Sequence, residues 1–232
     1  MGRGWVHVHR IAASNKKGKL FTKLSKEISV AARLGGADPE GNARLRSALK
    51  DAQKCSMPKD TVERAIKRGS GQLEGTEYEE ITYEGYGPHN VAVIVETLTD
   101  NKNRTAQDIR SLFTKYGQGL GALGSLSWMF KRVGSIVAKH NQDIDPEVTA
   151  IEAGAQDIED FNDNEWHFIT EVNDFGQVLQ YLEKQKWDVS EAKLNYLPKN
   201  NTELTDEQMN EVQEFLTKLM DNDDVKNIYP SI

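Results

Sequence analysis

Only one cysteine, Cys55, occurs among the 232 residues. An internal disulfide is therefore excluded, and the thiol suits a reducing compartment as a small packed apolar group. No apolar run approaches the roughly 20 residues that a bilayer crossing requires, so no membrane partner is expected. The opening MGRGWVHVHR lacks the apolar core of a secretory signal and is too short and too poor in Ser and Arg for an organelle transit peptide. The protein is expected to be cytoplasmic. Catalytic signatures are missing too: there is no G-x-S-x-G, no H-E-x-x-H and no paired-Cys motif. Dispersed active sites leave no local motif, so this absence weighs less than a motif's presence would. The expectation is a protein that is not an enzyme and uses no cofactor and no metal. His7 and His9 have no carboxylate or thiolate nearby in sequence to complete a tetrahedral site, and His89, His140 and His167 are isolated. Asp221, Asp223 and Asp224 could attract a divalent ion, but read more simply as an exposed acidic turn.

What is present is an uneven charge. Hydrophobic residues make up 38% and charged residues 28%, ordinary for a globular chain long enough for one large domain or two to three small ones. The net charge of -7 hides a division: residues 1–75 hold 16 Lys and Arg against 7 Asp and Glu, a net of +9, leaving 13 against 29, a net of -16, in the remainder. Such asymmetry points to a nucleic-acid or acidic-surface partner for the basic part.

The first 75 residues read as helical. Leu20, Phe21, Leu24, Ile28 and Ala31 share one arc of a helix over 19–34, which Gly35 and Gly36 stop. Asp38-Pro39-Glu40 is expected to open a second helix with Leu45, Ala48, Leu49 and Ala52 inward, broken at Met57-Pro58. A third has Asp60 and Glu63 in capping-box spacing, Val62, Ala65 and Ile66 apolar, and a stop at Gly69. Residues 69–75 look like a flexible linker. Beyond it the period becomes that of strands. A hairpin is expected from 78–84 and 91–98, then a helix capped by Thr105 and Asp108 and stopped at Gly117, then a strand SLSWMFK after a glycine-rich loop. Strands at 135–138, 166–172 and 192–197 alternate with helices near 146–155 and 175–185. A linker, PKNNTEL, leads to a strongly capped helix from Thr205 and a short strand, VKNIYP. The class is α+β.

The stretch NKKGKLFTKLSKE poses the functional question. Its Lys17-Gly18-Lys19-Leu20 is not a phosphate loop: no upstream glycine stands at the required spacing, no strand precedes it, and Leu replaces the metal-binding Ser or Thr. On a helical wheel Lys16, Lys19, Lys23, Lys26 and Arg33 fall within about a quarter turn, with only Glu27 as an obvious local carboxylate. A solvated helix face is the bland reading. With Arg44, Arg46, Lys50, Lys54, Lys59, Arg64, Lys67 and Arg68 in the same small domain, polyanion binding is favoured. A membrane-surface helix is disfavoured, because the apolar face is narrow and needed for the bundle. Arg3, Trp5, His7, His9 and Arg10 form either an arm that meets nucleic acid or a disordered terminus. Lys102 and Arg104 lie beside a helix N-terminus, a position suited to an anion, although turn chemistry and capping explain it equally well.

At these residues the sequence resembles a family. FTKLSKEISVAARLGGADPEGNARLRSAL, MPKDTVERAIKRG, YEEITYEGYGP, TDNKNRT and GSLSWMF stand in the order and spacing of the YebC family. That family is described as DNA-binding transcriptional regulators; it includes the mitochondrial translational activator of cytochrome c oxidase, and some bacterial members are associated with the ribosome. The resemblance implies three domains. These are a helical bundle with an N-terminal arm at 1–75, a middle α+β domain at 76–132 plus 204–232, and a third α+β domain inserted at 133–203. Lys16, Lys17, Lys19 and Lys23 match the family's basic residues at the first long helix, and Lys59, Lys67 and Arg68 match those of its MPKDxxxxAIKRG motif. The opening departs from the common glycine-histidine-serine-lysine-tryptophan pattern and carries less charge.

Together these features lead to the expectation of a non-enzymatic, monomeric, nucleic-acid-binding regulator of gene expression, a transcriptional regulator on DNA. The alternative is a ribosome-associated translation factor on ribosomal RNA. The expected contact residues are Lys16, Lys17, Lys19, Lys23, Lys26, Arg33, Arg44, Arg46, Lys59, Arg64, Lys67 and Arg68. If Lys19, Lys23 and Lys26 form an open binding face, their replacement by glutamate should abolish binding and leave the fold intact. The rival is an interaction protein with no nucleic-acid role, docking through its acidic surface.

Overall fold

The computed structural model describes residues 17–140, 144–162 and 165–232. Its chain divides into two compact units, Met1–Met129 with Pro198–Ile232, and Phe130–Leu197.

The first unit opens with three helices, α1 (Lys17–Gly35), α2 (Ala43–Lys54) and α3 (Lys59–Gly69). Their small apolar residues close a bundle of Ile28, Ala31, Ala32, Leu45, Ala48, Ala52, Met57 and Ala65, with Phe21, Leu24 and Leu49 packed at its edge. The helices approach closely where side chains vanish. A Cβ at Gly69 would stand 2.1 Å from the Ser29 carbonyl oxygen, so only glycine allows α3 to end against α1 there.

The second helix starts later than the sequence suggests. Asp38 caps only a turn, its Oδ1 accepting from Glu40 N at 3.0 Å. The true N-cap is buried Asn42, whose Oδ1 accepts from Leu45 N while its Nδ2 donates to Ala31 O and Gly36 O. One amide thus caps the start of α2 and satisfies carbonyls at the end of α1. The expected box on α3 is also not formed. Pro58 stands at the cap without a side-chain bond, and Asp60 pairs with Arg64 at 2.9 Å.

A four-stranded antiparallel sheet follows, ordered β3-β1-β2-β8, from β1 (Glu79–Tyr86), β2 (Ala92–Thr99), β3 (Gly119–Leu120) and β8 (Val225–Pro230). The helices α4 (Lys102–Tyr116) and α7 (Asp206–Met220) supply the rest of its core. Val93 and Val95 of β2, with Val91 just before it, alternate toward Ile109, Phe113, Val212, Phe215 and Leu219, and the Phe113 and Phe215 rings meet edge to face at 5.1 Å. Because β8 pairs with β2, the chain's last helix and strand return to complete the sheet that residue 79 began. The Thr205/Gln208 capping box at α7 is formed in both directions. On α4, by contrast, Asn101 is the cap, and Thr105 turns inward.

The second unit carries the sheet β5-β6-β4-β7, built from β4 (Phe130–Lys139), β5 (Asp157–Asn162), β6 (Glu165–Thr170) and β7 (Asp188–Pro198). The helices α5 (Pro146–Ala153) and α6 (Phe175–Lys184) complete it over Ile136, Phe168, Val178, Leu182 and Trp187. The expected strand SLSWMFK is corrected: residues 123–129 form turns and the strand begins at Phe130. The N–H groups of Gly124 and Leu126 donate to the Glu84 carboxylate rather than to a neighbouring strand.

Candidate nucleic-acid interface

The lysines of α1 follow the predicted spacing, but the structure gives them partners within the chain. Lys19 Nζ donates to Asp221 O at 2.8 Å, Lys23 Nζ to Met220 O, and Lys26 Nζ to Asp223 O at 3.0 Å. These carbonyls lie at or just past the C-terminus of α7, where the helix dipole and unpaired carbonyls favour cations. Three successive turns of one helix therefore cap the end of another. Burial pushes the Lys23 ammonium down to about 8, even though Asp223 and Asp221 favour its charged form.

Lys26 goes further, placing its ammonium 2.6 Å from the Asp224 carboxylate. The other Asp224 oxygen accepts from Arg104 Nη2 at 2.8 Å and from Thr105 Oγ1 at 2.7 Å. Burial alone would raise the Asp224 carboxyl, but donation from Lys26, Arg104 and Thr105 outweighs it and holds the group at about 2. The anion suited to the α4 N-terminus is thus the chain's own Asp224, and Lys102 pairs nearby with Glu79.

A second cluster joins α1, α2, β1 and β8. Arg44 donates through Nε and Nη2 to both oxygens of Glu27 and also reaches Glu80, while Lys226 pairs with Glu27 at 2.9 Å. Burial raises the Glu27 carboxyl, but Arg44 and Lys226 bring it below the usual range.

The idea of an open, locally unneutralised lysine arc on α1 is therefore corrected. Lys19, Lys23, Lys26 and Arg44 hold the bundle against the β1-β2-β8 sheet and α7. Glutamate at the three lysine positions would set carboxylates against carbonyls at the end of α7, so the fold is expected to be destabilised along with any binding. Arg33 is exposed but donates to Tyr78 O at 2.5 Å, and Arg46 donates to Pro39 O and Glu40 O. Arg68 lies half-buried against the linker; a Cβ on Gly75 would come 2.6 Å from its Cδ, and its Nε meets no hydrogen-bond partner. Lys50, Lys59, Arg64 and Lys67 remain exposed on α2 and α3, Arg64 sharing Asp60. Lys17 begins α1. Lys16 and the arm residues Arg3, Trp5, His7, His9 and Arg10 lie outside the described residues.

Sequence reasoning missed Asp224 as a hub. Its only local signal was the acidic turn, and its partners Arg104 and Lys26 are 120 and 198 residues away. In the second unit, Ser135 Oγ lies 2.7 Å from His167 Nε2, and Glu159 lies 3.7 Å from His167 Nδ1. This resembles a nucleophile-base pair, but Ser135 is 1% exposed and His167 fully buried, so no substrate atom can reach the hydroxyl. Among the described residues no group of three His, Cys, Asp or Glu is placed to hold a metal, and no helix is long and apolar enough to cross a membrane.

A basic three-helix head clipped to an α+β body by buried cations defines the architecture. Residues 5–72 match the TACO1/YebC protein N-terminal domain, and residues 78–232 match the TACO1/YebC second and third domain. The chain belongs to the TACO1/YebC family. It is 47% identical to "Probable transcriptional regulatory protein Bd1964" of Bdellovibrio bacteriovorus, with 100% of both chains covered. It is 51% identical to a "Probable transcriptional regulatory protein" of Pseudomonas syringae pv. syringae, over 99% of this chain and 98% of the relative. A crystal structure of a conserved hypothetical protein, Aq1575, from Aquifex aeolicus has a TM-score of 0.82 at 39% identity, covering 94% of this chain and 90% of that one.

Proposed function

We propose that the protein is a non-enzymatic, nucleic-acid-binding regulator of gene expression, acting in the cytoplasm on DNA through the helical head. The carrying observation is the division of labour among its cations. Lys19, Lys23 and Lys26 of α1 are engaged in holding the fold, whereas Lys50, Lys59, Arg64 and Lys67 stand exposed on α2 and α3. Exposed ammonium and guanidinium groups suit phosphates, which position a protein on a duplex without reading its sequence. The names of the relatives, "Probable transcriptional regulatory protein", agree with this reading.

A salt titration tests it. Log K for duplex DNA should fall linearly with log salt, by about 0.9 for each phosphate neutralised. In the double variant Lys59→Glu/Lys67→Glu that slope should become shallower while the thermal midpoint stays unchanged. Absence of binding to DNA and RNA alike at low salt would overturn the reading. Crosslinking in cells with sequencing of the bound strands separates the roles: promoter DNA supports transcription, and ribosomal RNA supports translation.

A further inference from the structure

Residues 117–129, GQGLGALGSLSWM, carry no charged side chain, although the chain beyond residue 75 has a net charge of -16. The second half of this segment is held from beneath. Glu84 of β1 is buried at 7% exposure, and its two carboxylate oxygens accept from Gly124 N and Leu126 N, each at 2.7 Å. Leu126 is fully buried and anchors the middle; Lys199 N donates to Met129 O at 2.8 Å and ties down the far end. A loop so fixed would be expected to tuck its largest apolar side chain inward. Instead Trp128 is 65% exposed. An indole offers one of the largest apolar surfaces of any side chain, so leaving it in water at a fixed position forgoes substantial burial energy.

We propose that Trp128 is a stacking platform for an unpaired nucleobase, so that the protein engages single-stranded or looped nucleic acid as well as duplex. The inference rests on the nucleic-acid reading above and narrows its ligand. A base inside a duplex is already stacked on both faces, whereas an unpaired base can lie against an exposed indole. The uncharged loop lets a phosphate chain approach where most of the body would repel it. At the N-terminal end of the segment the Lys115 and Lys218 ammonium groups lie 5.0 and 4.9 Å from the centre of the Tyr116 ring, Lys218 also pairing with Glu214 at 3.1 Å.

The test compares a short mixed-sequence oligonucleotide with the same strand annealed to its complement, bound by the full chain at fixed salt. Trp128→Ala should weaken single-strand binding by roughly tenfold, within the range for losing one stacked base, and leave duplex binding unchanged. Trp128→Phe should retain most of the affinity. Because the side chain is exposed, both variants should keep the wild-type thermal midpoint. Single-strand affinity unchanged in Trp128→Ala overturns this inference alone, as does an equal loss on both probes. Failure of wild type to bind either probe, made as DNA or as RNA, overturns the broader functional reading. Concentration-dependent self-association that Trp128→Ala abolishes would assign the indole to a second copy of the chain and also overturn the proposal.

Discussion

Lys26 and Asp224 form an ion pair at 2.6 Å with side chains only 9% and 5% exposed, joining the first long helix to the turn that follows the last. Two charges removed from water at this depth are held by mutual attraction and by the further hydrogen bonds each makes. The pair is not symmetric. Asp224 keeps Arg104 and Thr105 if Lys26 is removed, whereas without the carboxylate Lys26 retains backbone carbonyls and the Tyr78 ring, 5.6 Å away, but no counter-charge. Asp224→Asn is therefore expected to destabilise by about 3 kcal/mol, as for other buried pairs broken on one side. Lys26→Met should lose less. Urea unfolding of both variants and of the double variant measures the asymmetry and the coupling.

The pH dependence of stability follows from the same region. The Asp224 carboxyl falls from 3.8 in the unfolded chain to about 2 in the fold, so its contribution is present above 3.8 and is lost as pH falls through 2. This difference corresponds to about 2 kcal/mol. Lys23 acts in the same direction at alkaline pH, although here it is the charged form that the fold disfavours. Its value falls from 10.5 to about 8, so the unfolded chain binds the extra proton, and stability rises as pH increases through that window. Chemical denaturation from pH 7 upward should show this rise in wild type, and Lys23→Met should remove its share.

Local signals and long-range partners were not equally legible in the sequence. The periodicity of α1, the stops at Gly35 and Gly69, the β1-β2 hairpin and the capping box at Thr205 all depend on residues within one turn or one hairpin. The start of α2 was misplaced because Asp38-Pro39 resembles a helix opening, while the decisive cap, Asn42, gains its advantage from carbonyls of α1. The strand β5 was overlooked: DIEDFN has three carboxylates in six residues, and strand character comes from pairing with β6 rather than from propensity. SLSWM looked like a strand because alternation alone does not reveal that a buried glutamate in β1, some 40 residues earlier in the chain, takes its N–H groups. The lysines were visible as an arc, but their burial against α7 was not, since spacing along one helix carries no information about a helix 200 residues downstream.

Arg44 is expected to tolerate no other cation. Its guanidinium makes two hydrogen bonds to Glu27 and also reaches Glu80, an arrangement that depends on the planar fork. Arg44→Lys keeps the charge but cannot span both carboxylates, so it should lower the unfolding free energy by about 1 to 3 kcal/mol. The Glu27→Gln/Arg44→Met double variant should be less destabilised than the sum of its single variants, because neither group is left facing a missing partner. Thermal or urea unfolding of the four proteins completes the cycle.

Glu84 provides the sharpest test of how the Trp128 loop keeps its shape. Both carboxylate oxygens accept backbone N–H groups, from Gly124 and from Leu126, and the side chain is 7% exposed. Glutamine at this position preserves size but supplies only one acceptor; its amide nitrogen would face a second N–H donor. A buried donor left without an acceptor costs about 1 to 3 kcal/mol. Local opening should relieve this more readily than global unfolding, because residues 123–129 form turns outside the sheet ladder. Hydrogen exchange at Gly124 and Leu126 should therefore accelerate strongly in Glu84→Gln, with little change in the β1-β2 ladder. Single-strand binding should weaken even though Trp128 is still present, because the indole must then be ordered at the moment of contact. Equal protection of the two amides in wild type and variant would show that the carboxylate does not hold the loop.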